Sequence, residues 1–492
     1  MTREHSNVKR VPFILLVAAI LLLYLLFPTR THYWDGVLFS LYIEGVHKGL
    51  LPVGILFHPN HLLYSALGYI VYKALLACGF SLRAITALQI LNVVLSALSA
   101  WILFGFAKRL TRSMPAAAFC AILFAFGATW WRFSTDADSY VIALLFLLLT
   151  VRSVAGKNPQ LFPAALCQIA AMLFHELAVF AYVPVIVAIA LDTRRTAAKR
   201  FWLGCIYVFS TAACTAAIYL VAYQYSDHAA YPSLFSWVVS RSAASQTTHA
   251  LKQFPGAYLL SYVKLFGGGK LSLIRDFFSA AEVLAFAICA ACIGFAIYLF
   301  RKPAAENATV VDVKAVRVLW AWLVPYALFF AWWEPASAFY KLFVWPPIVL
   351  SIGIYTRRHA RAMLTLAVGI AAWNFGAFIF PHSHASADPV LALAQQIDRG
   401  LPKNATVYYQ VLDPDDWYLE YFAPGRRWVK LPSNPRAVSG LTGTSESPVC
   451  LETTALDQAE RGFGLRLAID PARRWDLVNR QHNVRLECLQ EP

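Results

Sequence analysis

The stretch ATWWRFSTDADSYVIALL, residues 128–145, decides the fold because it sets charged side chains between apolar runs. Arg132, Asp136 and Asp138 lie here, and the runs on either side are long enough to cross a bilayer. A charged side chain is costly inside hydrocarbon. The stretch is therefore predicted to be a corner between two membrane spans, at one surface of the bilayer.

The composition agrees with a chain that crosses a membrane many times. Of its 492 residues, 59% are hydrophobic and only 14% are charged, which excludes a string of soluble domains. The formal charge of +15 does not indicate nucleic acid, because Lys and Arg occur in short blocks between apolar runs. The first run, Val11 to Phe27, is longer than a typical secretion signal and no cleavage pattern follows it, so we interpret it as a span.

Basic blocks predict the orientation, because Lys and Arg accumulate in cytoplasmic loops. The blocks are residues 3–10, 108–112, 152–157, 194–200, 301–317 and 357–361. The run 61–77 carries Tyr, His and Lys side chains and is predicted to lie flat at the surface. About eleven spans remain, several of them shorter than the roughly 20 residues of a full crossing, which implies tilt, local thinning of the bilayer or a cavity in one face of the membrane. They are residues 11–27, 84–107, 115–131, 139–152, 160–174, 177–191, 201–223, 278–300, 318–333, 339–355 and 361–380.

Under this topology each tight outer corner carries a carboxylate. The corner residues are Asp35, Asp136 and Asp138, then Glu176 beside His175, and Glu334 in WWEPASAFYK, which continues to Tyr340 and Lys341. Each corner also has a local interpretation: a helix cap at Asp138, a wetted turn at residues 175–176 and an aromatic belt at residues 332–335. Since four separate corners place acids on one face, the sequence favours a shared outer site.

These corners resemble the polytopic glycosyltransferases of the GT-C fold. The matching features are an Asp in the first outer loop, the corner W-W-x-x-S-T-D-A-D-x-Y and the later W-E-P. The class includes protein O-mannosyltransferases, oligosaccharyltransferases and the aminoarabinose transferase that acts on lipid A. The resemblance covers residues 10–380. Many members carry Asp-Glu in the first loop, whereas Gly36 follows Asp35 here, which leaves Asp35 as the candidate in that loop.

The resemblance implies an all-α polytopic membrane protein that moves a sugar from a polyprenyl-phosphate donor to a lipid, glycan or protein acceptor. Transfer passes through an oxocarbenium-like state, in which the acceptor hydroxyl loses a proton while the lipid phosphate leaves. Asp35 is the expected base, and Asp136 and Asp138 are expected to position the acceptor or a divalent cation. The expected location is a bacterial inner membrane, with the site facing the periplasm.

A departing phosphate requires positive charge and polar contacts. The substrate-binding candidates are His58, Arg132, His175, Glu176, Glu334, Tyr340 and Lys341, and further cations lie in the outer loop 224–275 at Arg241, Lys252, Lys264, Lys270 and Arg275. That loop is predicted to be a mobile lid, with FGGGK at 266–270 as a hinge rather than a phosphate cradle.

The sequence requires no cofactor and leaves the metal open. Asp136 and Asp138 form an Asp-x-Asp pair that would suit a divalent cation. His58, His61 and His175 would suit zinc, but His residues spaced three apart at a helix start are more often interfacial polar groups.

The tail from residue 385 to 492 is polar and is predicted to be a small α/β domain on the outer face, after a membrane domain of residues 1–384. ATVYYQVLD and RRWVKLP are predicted strands, and PDDWYLEYFA between them is a predicted helix, which together indicate a βαβ-like unit. Cys450 and Cys488 would pair in an oxidising compartment. The tail either caps the outer cavity or only stabilises the protein.

Two rival functions stay open. A lipid-linked sugar flippase or transporter would need charged or broken helices near the bilayer midplane, where the sequence offers the uncharged Asn92 and Asn374. A non-catalytic assembly protein with the same fold is the other rival.

Overall fold

The computed structural model describes residues 11–228, 231–240, 255–303, 312–410, 415–444, 446–478 and 483–490. Two compact units share the chain. The first consists of Met1–Thr29 and Tyr42–Pro381, and the second of Arg30–Leu41 and His382–Pro492. The predicted basic residues Arg241 and Lys252 lie outside the described residues.

Eighteen described α-helices precede the C-terminal sheet region. They are α1 (Val11–Leu26), α2 (Trp34–His47), α3 (Tyr64–Ala77), α4 (Ala84–Thr111), α5 (Met114–Phe126), α6 (Ala128–Ser134), α7 (Tyr140–Val154), α8 (Leu161–Phe174), α9 (Tyr182–Ala190), α10 (Ala197–Tyr223), α11 (Leu234–Ser240), α12 (Pro255–Phe266), α13 (Leu271–Asp276), α14 (Ala280–Phe300), α15 (Val313–Trp332), α16 (Trp345–Tyr355), α17 (Ala360–Asn374) and α18 (Phe380–His382). Short 3-10 segments at Pro59–His61, Glu176–Ala181 and Tyr340–Val344 lead into three of them.

Five described helices are long and apolar enough to cross a membrane, so the protein is an integral membrane protein. They are Ala84–Thr111, Ala197–Tyr223, Ala280–Phe300, Val313–Trp332 and Arg357–His382. The pair α5 and α6 would be a sixth if it is one bent span. Five shorter apolar helices, of 10–17 residues, coincide with the remaining predicted spans. The expectation that each of these five short helices crosses the bilayer stays a prediction.

The chain turns by 63° at Gly127, between α5 and α6. After this turn, α6 leads into residues 135–139, which contain Asp136 and Asp138 and are called the acidic corner below. A Cβ at Gly127 would lie 2.5 Å from Trp345 Cζ2, so only glycine allows this approach. The Trp345 indole N–H donates to the Phe124 carbonyl at 3.0 Å. This bond satisfies a carbonyl beside the break. The bend is therefore built by local packing and one buried hydrogen bond.

Helices of the first unit differ in how far neighbours cover them. α4 packs against α5 and α7, and more than half of its apolar window is buried. α14 packs on α17 but leaves most of its apolar side chains exposed. An apolar helix that stays uncovered in a membrane protein faces lipid. We therefore interpret α4 as a central helix and α14 as a lipid-facing one.

The predicted lid region contains helices in its described part, α11, α12 and α13. Gly267–Lys270 connects α12 to α13 without helical structure. The Gly268 N–H donates to Asn374 Oδ1 at 3.2 Å, and Gly269 has a φ of 128°, which only glycine adopts readily. The glycines thus bring this connection close to the end of α17. Movement of the region stays a prediction.

In the second unit, the C-terminal part forms a five-stranded mixed sheet. Its elements are α19 (Pro389–Gly400), β1 (Thr406–Tyr409), α20 (Asp415–Phe422), β2 (Arg427–Lys430), α21 (Pro435–Ser439), β3 (Val449–Glu452), α22 (Thr453–Asp457), β4 (Ile469–Val478) and β5 (Asn483–Leu489). The strand order is β2-β1-β3-β5-β4. β1 is parallel to β2 and to β3, whereas β5 is antiparallel to β3 and β4. The predicted βαβ-like unit is confirmed as β1-α20-β2.

Cys450 and Cys488 form a disulfide between the paired strands β3 and β5. Both residues belong to a buried cluster with Val407 of β1 and Leu419 of α20. The disulfide therefore lies in the core of the sheet rather than at its surface.

We expect removal of this disulfide to destabilise the second unit. The double change Cys450→Ser and Cys488→Ser should lower its free energy of unfolding by about 3–4 kcal/mol, because the bond closes a loop between residues 38 apart and restricts the unfolded chain. The measurement is the denaturant midpoint for proteolytic protection of the C-terminal unit in the full-length protein. Cys78→Ser, which removes an exposed free thiol, is the control. An unchanged midpoint in the double variant would contradict the expectation.

Candidate functional site

Two amide side chains of α4 hold the acidic corner in place. Gln89 Nε2 donates to the carbonyls of Thr29 and Thr135, both at 2.8 Å. Asn92 Nδ2 donates to the carbonyls of Asp136 and Asp138, at 2.8 and 2.7 Å. The two amides are three residues apart and so lie on one face of the helix. They satisfy backbone carbonyls that the non-helical corner leaves without helix partners.

The carboxylates of Asp136 and Asp138 are almost completely buried, with exposed fractions of 1% each. The Ala137 N–H donates to Asp136 Oδ1 at 2.9 Å, and the Ser139 N–H donates to Asp138 Oδ1 at 2.6 Å. These bonds are the charge-assisted contacts that a buried carboxylate needs. The sequence also allowed Asp138 as a helix cap. Its carboxylate accepts from the backbone N–H of Ser139, the residue directly before α7.

Tyr64 of α3 faces the same corner, and the sequence analysis did not identify it. Its hydroxyl oxygen lies 3.2 Å from Asn92 Nδ2. Burial first, and then the negative charges of Asp138 and Asp136, raises the pKa of the Tyr64 hydroxyl well above its ordinary value. Tyr64 therefore presents a neutral, proton-bearing hydroxyl to the carboxylates.

A group of three histidines, of which His175 is buried and His58 and His61 are half-buried, lies beside Asp138. Ser139 Oγ is hydrogen bonded to His61 Nδ1 at 2.9 Å. The His61 ring contacts the ring of His175 at 4.6 Å and that of His58 at 5.9 Å between centroids. Burial lowers the pKa of His61 to about 4 and, together with the nearby His61, lowers that of His175 well below its ordinary value. At neutral pH the two imidazoles are therefore uncharged.

One ring nitrogen of His175 accepts a hydrogen bond, and the other has no hydrogen-bond partner in the described parts of the chain. Its Nδ1 accepts from the Leu177 N–H at 3.2 Å, which leaves the proton on Nε2. Nε2 is buried and has no hydrogen-bond partner among the described residues. Unmatched buried donors of this kind are uncommon and often belong to functional sites.

The predicted corner around Glu334 joins this group through aromatic rings. Tyr340 lies 6.1 Å from Tyr140 and 4.5 Å from Trp333, and Tyr140 lies 4.9 Å from His175. Glu334 is half-buried, and this burial raises the pKa of its carboxyl group. The residues from Asp138 to Tyr340 thus form one continuous set of contacts in the first unit.

Lys341 is completely buried and already holds its own corner together. Its Nζ donates to the carbonyl of Glu334 at 2.7 Å and to that of Pro335 at 3.3 Å, rather than to the Glu334 carboxylate. Nζ also lies 5.3 Å from the centre of the Tyr258 ring. Two of the three N–H groups of Lys341 Nζ therefore donate to backbone carbonyls. A contact of Lys341 with the phosphate of a donor stays a prediction.

Arg132 and Glu176 lie at the ends of elements that border the group. Arg132 is half-buried in α6, three residues before Thr135, and its carbonyl accepts from Thr29 Oγ1 at 3.2 Å. Glu176 begins the 3-10 segment that follows His175. All the predicted site residues except Asp35 therefore belong to the first unit.

Asp35 belongs to the second unit, in the first turn of α2. The segment before it is tied to the C-terminal part of that unit: the Arg30 N–H donates to the His382 carbonyl at 2.8 Å, and the His32 ring stacks on Phe422 at 5.8 Å. The Tyr418 hydroxyl donates to the His32 carbonyl. Burial raises the pKa of the Asp35 carboxyl group to about 7. Near neutral pH this group exchanges a proton readily.

The described residues contain no group of three or more His, Cys, Asp or Glu side chains arranged to hold a metal ion. Backbone N–H groups occupy one oxygen each of Asp136 and Asp138, and the His61 and His175 Nδ1 atoms already have partners. Whether a divalent cation binds at Asp136 and Asp138 stays open, as it did from the sequence.

Sequence reasoning missed Gln89, Tyr64 and the Ser139–His61 pair. A signal existed for Gln89 and Asn92, since two amides on one face of a long apolar helix must find partners when they are buried. For the Ser139–His61 pair no signal existed, because the two residues are 78 positions apart.

No family model and no curated protein sequence matches the chain. Among solved structures it is similar to ArnT, the lipid A aminoarabinose transferase, from Cupriavidus metallidurans. The crystal structure bound to undecaprenyl phosphate has a TM-score of 0.59 at 13% identity, covering 97% of this chain and 98% of that one. The apo structure has a TM-score of 0.63 at 12% identity, covering 98% of each.

An Archaeoglobus fulgidus oligosaccharyltransferase tethered to an acceptor peptide also matches, with a TM-score of 0.48 at 14% identity, covering 94% of this chain and 69% of that one. We draw no argument from a score this low. The ArnT similarities, at their low identities, show the fold, and they confirm the GT-C fold expected from the corner motifs.

The amide contacts of Asn92 can be tested by substitution. Asn92→Leu keeps the volume but leaves the carbonyls of Asp136 and Asp138 buried without their donor, and we expect a loss of about 2–4 kcal/mol of stability. The measurement is thermal unfolding of the purified protein in detergent. Ser96→Ala, one turn further along α4, is the control because the Ser96 hydroxyl has no hydrogen-bond partner among the described residues. Equal stability of the two variants would contradict the role assigned to Asn92.

Proposed function

We propose that the protein is an integral-membrane glycosyltransferase that moves a sugar from a polyprenyl-phosphate donor to an acceptor on the extracytoplasmic side. The acceptor is a lipid, a glycan or a protein. The observation that carries the proposal is the similarity over almost the whole chain to ArnT in its complex with undecaprenyl phosphate. A fold alone does not fix a function, so the site residues must supply the chemistry.

Asp35 is the proposed base. In the reaction a bond forms between the acceptor oxygen and the anomeric carbon of the sugar, and the bond from that carbon to the phosphate oxygen breaks. The acceptor hydroxyl must give up its proton as this happens. A carboxyl group with a pKa near 7 is well suited to take it, because it is both partly ionised and basic enough at neutral pH.

The residues of the acidic corner are proposed to position the acceptor. Asp136 and Asp138 are held by Asn92 from behind and by their own backbone N–H groups. The Nε2–H of His175 is available to donate to a bound hydroxyl or phosphate oxygen. Rigid placement of polar groups by a second set of contacts is what a transfer site requires.

Two observations support a site on the extracytoplasmic side. The Cys450–Cys488 disulfide suits an oxidising compartment. Lys108 and Arg109 also lie at the end of α4 remote from the acidic corner, and Arg152 lies in the last turn of α7, which begins at Tyr140 beside that corner.

The rival flippase function requires polar residues near the bilayer midplane, where the sequence offers Asn92 and Asn374. In the structure both side chains form hydrogen bonds to backbone carbonyls of the protein. Asn92 holds the acidic corner, and Asn374 Nδ2 donates to the carbonyls of Phe126 and Phe266 at 2.8 and 2.7 Å. Each amide therefore stabilises a break in helical structure. This use favours the transferase over the transporter.

The role of Asp35 predicts a clear separation of binding and transfer. Asp35→Asn should retain binding of a labelled polyprenyl-phosphate sugar and should lower the transfer rate at least about 100-fold, since general base catalysis contributes roughly 10²–10⁴. For the wild type, kcat/KM should rise with pH through about 7 and then level off, because the base acts only when it is deprotonated.

Asp227→Asn is the matched control for Asp35→Asn, because it removes an exposed carboxylate from the same predicted outer face. Its rate and pH profile should equal those of the wild type. Wild-type turnover in Asp35→Asn would remove the base assignment, and failure of wild-type protein to transfer from any polyprenyl-phosphate sugar would remove the proposed function.

The orientation has its own prediction. In protein whose exposed cysteines at 78, 205 and 214 are replaced by serine, a new cysteine at Asp227 should react with a membrane-impermeant thiol reagent added to intact cells. One at Thr193 should react only after the membrane is opened, because its loop is basic and is predicted to be cytoplasmic. Reaction of Thr193→Cys alone from outside would reverse the topology.

A further inference from the structure

A second feature of the first unit lies away from the acidic corner, at the ends of α5, α14 and α17. Here a cavity of about 370 Å³ is lined by the starts of α5 and α17 and by the residues that follow α14. Its charged lining residues are Lys302, Arg357, Arg358 and Arg361, with His359 beside them. None of the described lining residues is acidic.

Two of the four cationic side chains already contact the protein: Arg357 donates to the Ile354 carbonyl at 2.8 Å, and Lys302 Nζ lies 4.6 Å from the centre of the Tyr298 ring. No described carboxylate forms a salt bridge with Lys302, Arg358 or Arg361. Arg358 and Arg361 are exposed, so neither is fixed in the protein core. Like charges gathered around one cavity repel each other, and an anion would relieve this repulsion.

The backbone adds to the same preference. The first turn of α17, from Ala360 to Ala362, lines the cavity, and no side chain caps the start of this 15-residue helix. α5 also begins at the cavity, where Ser113 Oγ accepts from the Ala116 N–H. The starts of helices carry partial positive charge and unpaired N–H groups. They support the anion preference that the four side chains create.

The cavity adjoins a surface that suits acyl chains. Leu299, at the end of α14, lines it, and α14 leaves large apolar side chains exposed along its length, among them Leu284 at 62% and Phe295 at 54%. A ligand with a charged headgroup in the cavity could lay its hydrocarbon along this helix. A soluble anion would make no use of that surface.

We propose that this cavity is a binding site for a membrane phospholipid whose headgroup carries two phosphates. A single phosphodiester carries one negative charge, and four cations match two phosphates better. Basic pockets between helices at the predicted cytoplasmic side are suited to such headgroups. The site is separate from sugar transfer and does not rest on the proposed function.

A neighbouring cavity shows why basic loops alone do not explain the feature. It has a volume of about 520 Å³ and is lined by Arg112, Lys157, Arg194 and Lys314, but also by Asp192 and Asp312. Asp192 pairs with Arg194 at 2.7 Å, and Asp312 accepts from the first N–H groups of α15. The two carboxylates offset part of the positive charge at that cavity, which has the same number of Lys and Arg side chains and so provides a control.

The test is native mass spectrometry of the delipidated full-length protein titrated with tetraoleoyl cardiolipin, dioleoyl phosphatidylglycerol or pyrophosphate. Cardiolipin should bind at least about tenfold more tightly than the other two. Arg358→Gln with Arg361→Gln should weaken cardiolipin binding roughly 30-fold, from the usual contribution of two cations near a membrane surface. Arg112→Gln with Lys157→Gln, at the neighbouring cavity, should change it less than about threefold.

Arg358→Lys with Arg361→Lys keeps both charges and should restore most of the binding, which excludes misfolding as the cause of the loss. Equal losses in the two Gln variants would overturn the proposal in favour of general surface charge. Binding of pyrophosphate as tight as that of cardiolipin would overturn the assignment to a lipid. Equal affinity for cardiolipin and phosphatidylglycerol would overturn the assignment to a headgroup with two phosphates.

Discussion

The structure of the first unit depends on satisfying the backbone of a polar corner inside an apolar bundle. Residues 135–139 leave helical geometry where water is excluded, and each free carbonyl there would cost a hydrogen bond. Gln89 and Asn92 meet this requirement from one face of α4. The corner can then carry two buried carboxylates, because the surrounding backbone is already paired. The contacts that stabilise this part of the fold therefore also fix the positions of the candidate site residues Asp136 and Asp138.

Much of this could be predicted from the sequence. Long apolar runs, broken by charges at residues 128–145, indicated the helices and the corner, and alternating apolar residues indicated the β1-α20-β2 unit, because both patterns are local. The partners of the buried amides could not be predicted. Asn92 reaches carbonyls 44 and 46 positions away, and nothing in the local pattern distinguishes such a contact from a polar lining of a transport path.

The placement of Asp35 shows the same limit. Its segment directly follows the first predicted span in the sequence, yet Arg30–Leu41 groups with the C-terminal unit through contacts at His32 and His382. Those contacts join residues that are 352 and 390 positions apart, so neither periodicity nor charge could reveal them. The same contacts fix the segment before α2, through the Arg30 backbone and the His32 ring. Asp35, whose carboxyl group has a pKa of about 7, directly follows this segment.

The length of α4 connects the acidic corner with the basic side of the protein. Gln89 at one end and Lys108 at the other lie about 28 Å apart along the helix axis, at roughly 1.5 Å per residue. The hydrocarbon core of a bilayer is about 30 Å thick. One straight helix thus carries an amide that holds the acidic corner and, a membrane thickness away, a lysine of the basic face. If the basic end lies in the cytoplasm, the same rigid helix puts the carboxylates at the opposite surface, where a lipid-linked sugar would be met.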